Sequence, residues 1–145
     1  MDEQESFIAK YPKIVFQSAH IASSSENLGY VAKLLGRYPN FNVDNSARLG
    51  EMGRQPSASR DFLIKYQDRV LHGIDGIGYP FELELERIYF RFYETCDEYF
   101  DYGLAKIPDQ GRWRIYGINL PDSVLKKIYL QNAERIWGKQ PKPVI

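Results

Sequence analysis

The chain is poor in the residues that staple or metallate small proteins, with one cysteine, Cys96, and two histidines, His20 and His72, among 145 residues. A lone cysteine closes no internal disulfide, and Cys96 has no Cys or His near it at metal-ligand spacing, so a disulfide scaffold and a zinc-finger-like site are both excluded. Cys96 reads instead as a helix core residue. Charge of one sign is missing too. Nineteen Lys and Arg balance nineteen Asp and Glu, no basic block stands out, and the electrostatic footprint of a nucleic-acid binder is therefore absent. No run approaches the ~20 apolar residues of a membrane span. The acidic start, Met-Asp-Glu-Gln-Glu, is the opposite of the basic leading region of a secretion signal, so the chain reads as cytoplasmic, with no nucleic-acid and no membrane partner.

What is present is an ordinary globular composition, 43% hydrophobic and 26% charged, at a length that buries roughly two thirds of its unfolded surface in one domain. Residues 13–19 (Lys-Ile-Val-Phe-Gln-Ser-Ala) form a mostly apolar run of strand length, the pattern of a strand covered on both faces in a parallel sheet, with His20 at its carboxyl end. Ser23 and Glu26 have capping-box spacing. Leu28, Val31, Ala32, Leu34 and Leu35 follow at helical intervals up to Tyr38-Pro39. Residues 41–45 make a second strand, and a polar loop from Ser46 to Pro56 leads to a short helix over 58–66. A third strand over 69–74 is ended by Gly76, Gly78 and Pro80.

The strongest helical periodicity runs through Leu85, Ile88, Tyr89, Phe92, Tyr93, Cys96, Tyr99 and Phe100, and it predicts a long helix whose aromatic stripe packs on a sheet. Residues 103–117 are irregular. A last helix begins around Pro121-Asp122 and ends before Gly138, followed by a proline-containing tail over 140–145. Strands alternating with helices predict a parallel α/β sheet, in either a doubly wound or a barrel arrangement, and both place their chemistry at the carboxyl ends of the strands. His20 and Asp75 are ionisable residues at two such ends. His72, inside the third strand, reads as a core group. Arg48 and Arg54, in the long loop, are candidates for gripping a substrate carboxylate, with paired surface roles as the alternative.

Several segments together carry a family resemblance: Tyr38-Pro-Asn-Phe-Asn-Val-Asp44, Ala47-Arg48, Asp61-Phe-Leu-Ile-Lys-Tyr-Gln-Asp-Arg-Val-Leu71, Gly73-Ile-Asp75, and Leu120-Pro-Asp-Ser-Val-Leu-Lys-Lys-Ile-Tyr129 with Asn132-Ala133. The chain resembles, nearly end to end, the C-terminal portion of the amidohydrolase-related (amidohydrolase 2) family of metal-dependent TIM-barrel hydrolases and non-oxidative decarboxylases. The resemblance implies that residues 1–145 form a partial barrel domain, strands six to eight of a (β/α)8 barrel plus C-terminal helices. Such a piece does not close alone. It further implies that His20, at the sixth-strand end, transfers protons near a metal-bound water. By the same likeness Asp75, at the eighth, binds the divalent metal, zinc by preference, or shuttles the proton of its water.

The usual threonine of the triplet is Ile74 here, and the aromatic before its glycine is His72. The family's upstream histidines have no counterpart in this chain, so tight metal binding and turnover are not expected of it alone. The substrate would be an unidentified small molecule. Three strands would also leave two unpaired sheet edges, which calls for the missing N-terminal part or for self-association as a partner. A catalytically silent relic and a metal-free small-molecule-binding module are the alternative functions.

Overall fold

Three short apolar segments pair in the computed structural model, which describes residues 3–76, 81–108 and 110–139. Strands β1 (Phe16–Ser18), β2 (Phe41–Asp44) and β3 (Val70–Leu71) form one parallel sheet in sequence order, as the alternation of strands and helices predicts. The sheet is open. Phe16 faces Phe41, Ser18 faces Val43, and Val43 faces Val70 in the register. Because side chains alternate along a strand, Phe16, Phe41, Val43 and Val70 share one face, which merges with Leu34, Leu63 and Tyr89 in the main hydrophobic core. Burying each such side chain contributes about 1.5–3 kcal/mol. The same alternation puts Gln17, Asn42, Asp44 and Leu71 on the other face, where Asn42, Asp44 and Leu71 are also buried, so this face carries buried polar groups unusual for a parallel sheet.

The strands are shorter than their apolar runs. Ile14 and Val15 remain 49% and 56% exposed ahead of β1, while the carboxyl ends turn aside into the site described below. Helix α1 (Glu3–Lys10) has no counterpart in the sequence reading. Its anchor is Glu5, a buried carboxylate that accepts hydrogen bonds from Arg37 Nη1 and the Tyr38 hydroxyl, both at 3.0 Å.

After β1 comes the single turn α2 (Ala19–Ser23), then α3 (Leu28–Arg37), which buries Leu28, Val31, Leu34 and Leu35. The capping residue of α3 is Asn27, whose side chain accepts from the Tyr30 amide, and not Ser23. Ser23 has a left-handed backbone, φ 51°, where a capping residue is extended. The turn α4 (Leu49–Met52) and helix α5 (Pro56–Lys65), with proline in its first turn, connect β2 to β3.

Helix α6 (Phe81–Glu94) carries Tyr89, Phe92 and Tyr93, none more than 1% exposed. It stops six residues short of the predicted stripe. Its last carbonyls are taken by the returning chain, Ile118 N to Phe92 O at 2.8 Å and Leu120 N to Tyr93 O at 2.7 Å, which ends the helical ladder. Cys96 therefore lies on the surface rather than in a core, and Tyr99 is 71% exposed.

The C-terminal segment comprises α7 (Asp122–Lys126), a π-helical turn over Lys127–Gln131 and α8 (Asn132–Trp137), with Gly138 left-handed after its end. Positions 140–145, Gly78 and Pro80 lie outside the described residues. Strand β3 bonds to β2 through residues 69 and 71, so residues 70 and 72 point away from it. That outer edge is not open. The His72 amide donates to Ile128 O at 3.0 Å and Asn132 Nδ2 donates to Val70 O at 2.7 Å, so the C-terminal helix satisfies what an open edge would leave bare. The other outer strand is β1, which α1 reaches through Gln4 Nε2 to Ser18 Oγ at 2.8 Å and the Phe7–Phe16 ring contact. No helix among them is long and apolar enough to cross a membrane.

Candidate functional site at the carboxyl edge of the sheet

Leaving β1, the chain runs through four consecutive left-handed residues, His20, Ile21, Ala22 and Ser23, with φ between 51° and 59° and no glycine among them. Each such residue costs roughly 1–2 kcal/mol. The turn is held by burial of Ile21 and Ala22, 0% and 7% exposed, and by two bonds from His20: its amide to Asp44 Oδ1 at 3.2 Å and its Nδ1 to Ser46 O at 2.8 Å. The other two strands end similarly, since Ala47 after β2 and Asp75 after β3 are also left-handed, φ 53° and 57°. Strained backbone at all three carboxyl ends is the kind of outlier that points to a site.

Asp44, at the last position of β2, organises the edge. Only 7% exposed, it accepts from the His20 amide, from Ser46 N at 3.0 Å and Ser46 Oγ at 2.6 Å, and from Gln17 Nε2 at 2.8 Å. Ser46 Oγ in turn fills the space where a side chain on residue 73 would begin, so any larger residue at Gly73 must displace it. Asn45, fully buried, accepts from the Gly73 amide at 3.3 Å. Three strand ends are thereby tied into one constellation.

Within it His20 Nε2 stands 3.9 Å from Asp75 Oδ2. The Ser46 carbonyl can only accept, so Nδ1 carries a proton and donates to it, which leaves Nε2 as the ring nitrogen on the Asp75 side, beyond hydrogen-bond reach of the carboxylate. Asp75 is 60% exposed and His20 28%. An imidazole fixed this way by a backbone carbonyl is set up as a proton acceptor or as a ligand.

A cavity of about 310 Å³ opens beside Asp75, walled mainly by Leu49, Leu85, Tyr89, Tyr102, Leu104 and Pro108. The Tyr89 hydroxyl accepts from the Ala47 amide at 2.8 Å, and burial pushes the tyrosine pKa well up, with Glu86, Asp75 and Asp44 adding to the effect. Arg48 and Arg54 do not line this cavity. Arg48 lies 3.6 Å from Glu51, and the Arg54 guanidinium stacks 4.5 Å above the Trp113 ring. His72 does not line the cavity but packs behind its Tyr89 wall, its Nε2 2.8 Å from Glu86 Oε2 and its ring among Tyr89, Phe90, Tyr93 and Tyr129.

Profiles of known families, curated proteins and solved structures yield no match to this chain.

Whether the edge suits a divalent metal is a question of donors. Among the described residues no three His, Cys, Asp or Glu side chains converge, and both oxygens of Asp44 are already engaged. His20 and Asp75 are two donors side by side, fewer than the three protein ligands a catalytic zinc keeps. The sequence reading placed these two residues at strand ends and missed Asp44 and Ser46, although Asp44 closes the second strand as plainly as Asp75 follows the third.

Proposed function

We propose that the chain is the C-terminal portion of a metal-dependent amidohydrolase-type barrel, supplying the proton-transfer and metal-facing part of a hydrolytic site for a small molecule. The observation that carries this reading is the pairing of His20 Nε2 with Asp75 Oδ2 at 3.9 Å, with the tautomer of the histidine set by Ser46. The parallel order β1-β2-β3 and the resemblance of the Gly73-Ile-Asp75 triplet support it. A divalent cation bound at Asp75 would supply an acidified water and polarise the scissile carbonyl. His20 accepts a proton at Nε2, and Asp75, facing it, steadies the imidazolium that results. Asp44 holds the His20 backbone, so the ring keeps its aim while its charge changes. Closing a barrel would require Val70 O and His72 N to exchange Asn132 and Ile128 for another strand.

The test is complementation. The upstream half of a homologous barrel, mixed with this chain and zinc, is expected to restore amide or lactone hydrolysis, lost in both His20→Ala and Asp75→Ala. The chain alone is expected to bind zinc weakly and turn nothing over. Stoichiometric zinc retained through purification of the isolated chain, together with turnover abolished by chelation, would overturn the proposal.

A further inference from the structure

The cavity beside Asp75 carries a statement about ligand class. Its wall combines aliphatic Leu49, Leu85, Leu104 and Pro108 with the rings of Tyr89 and Tyr102, and Asp75 is the charged side chain on it. At about 310 Å³ it is roughly twice the ~150 Å³ that admits a benzene ring in a dry engineered cavity, and it falls at the small end of ligand pockets. An aromatic or cyclic aliphatic ring with one short substituent fills it.

The substituent must meet Asp75. A carboxylate placed there would face a like charge, because the guanidinium groups of Arg48 and Arg54 lie off the cavity wall, one beside Glu51 and one on Trp113. An amide or other N–H donor instead gives the Asp75 carboxylate a hydrogen bond. The rim is also pre-shaped, since Ala47 and Asp75 hold left-handed backbones and Gln110 Nε2 ties the far loop to Ala47 O at 2.6 Å. Little has to move for a ring to enter.

We infer that this cavity binds a neutral, N–H-bearing ring compound, an aromatic amide being the simplest, and rejects the corresponding carboxylate. Calling that ring part of a substrate rests on the function proposed above, whereas the binding preference itself needs neither metal nor turnover.

Benzamide and benzoate, matched in shape and differing in charge, serve as probes against the whole metal-free chain with leucine methyls observed by NMR. Benzamide is expected to shift the Leu49, Leu85 and Leu104 methyls and to bind about tenfold more tightly than benzoate, as a like-charge contact predicts. Asp75→Asn should bring the two affinities within about twofold, and Leu85→Trp, which fills the cavity, should abolish both shifts while the methyls of Leu34 and Leu63 keep their positions and so report an intact core. Equal or tighter binding of benzoate to the unaltered chain, or shifts that survive Leu85→Trp, overturns the inference. Because these titrations contain no metal, they fail or succeed separately from complementation. Hydrolysis restored in trans without ring selectivity would sink the ligand class alone, and selectivity without hydrolysis would sink the barrel reading alone.

Discussion

Replacing Asp44 by alanine is the sharpest probe of the carboxyl edge, because one buried carboxylate there serves donors from two separate turns. Four hydrogen bonds are lost, at 3.2, 3.0, 2.6 and 2.8 Å. They do not count equally. Gln17 is exposed and Ser46 Oγ can rotate to water, so both recover partners at little cost. The main-chain amides of His20 and Ser46 cannot turn away, and each unsatisfied amide costs about 1–3 kcal/mol. The expected loss is about 3–4 kcal/mol of a total that is typically ~5–15 kcal/mol. Asp44→Asn keeps an acceptor for both amides and should lose less than half as much. Urea unfolding measures the difference, with an unchanged slope required for a clean comparison. Residues 20–23 should also exchange amide protons faster in Asp44→Ala, since a left-handed turn costing roughly 4–8 kcal/mol over four residues loses one of its ties. An alanine variant within about 1 kcal/mol of the parent, or one no less stable than the asparagine variant, would refute the reasoning.

Gly73→Ala should destabilise by about 1–3 kcal/mol, because the new methyl displaces Ser46 Oγ from its place beside Asp44. In a Ser46→Ala background the same change should cost at least ~0.5 kcal/mol less in a double-mutant cycle, and simple additivity would count against it. Burial raises the pKa of Tyr93 well above the ordinary value, with Tyr89 and Tyr129 adding to it. The folded state therefore keeps a proton that the unfolded chain releases near pH ~10. That contribution to stability is complete below this pH and is lost as pH climbs toward the folded-state value. Tyr93→Phe should flatten the alkaline decline, and all eleven tyrosines ionising together in the folded protein would contradict it. Asn132→Ala should strip the partner from Val70 O and Gln67 O, costing about 2–3 kcal/mol and raising light scattering on storage. A variant as stable and as clear in solution as the parent would show that the β3 edge needs no such cover.

The order of strands and helices was legible because hydrophobic spacing reports burial directly. Phe41 and Val43 face the core for the same reason that Leu28, Val31 and Leu35 do. Boundaries were not, and the stripe ending in Cys96 shows why. Spacing says which residues could share a helix face, but the amides of Ile118 and Leu120, more than twenty positions away, decide where the helix stops. Helix α1 escaped notice because its buried face consists of Ile8 and a carboxylate, Glu5, and no pattern of apolar residues announces a buried Glu. The left-handed run at 20–23 contains no glycine or asparagine to signal it. It exists because Asp44 and Ser46 hold it from another strand. For the site, position at a strand end found His20 and Asp75. The residues that aim them came only with the fold.

The cover that Asn132 and Ile128 place over β3 has a further consequence for how copies of this chain can meet. A sheet exposed on both sides behaves like a bifunctional monomer, adding neighbours at either end and growing without limit. With β3 closed off, no strand of another copy can add on that side without displacing Asn132 and Ile128. Growth of the sheet is thus blocked on the β3 side, where the C-terminal helix acts as the chain terminator.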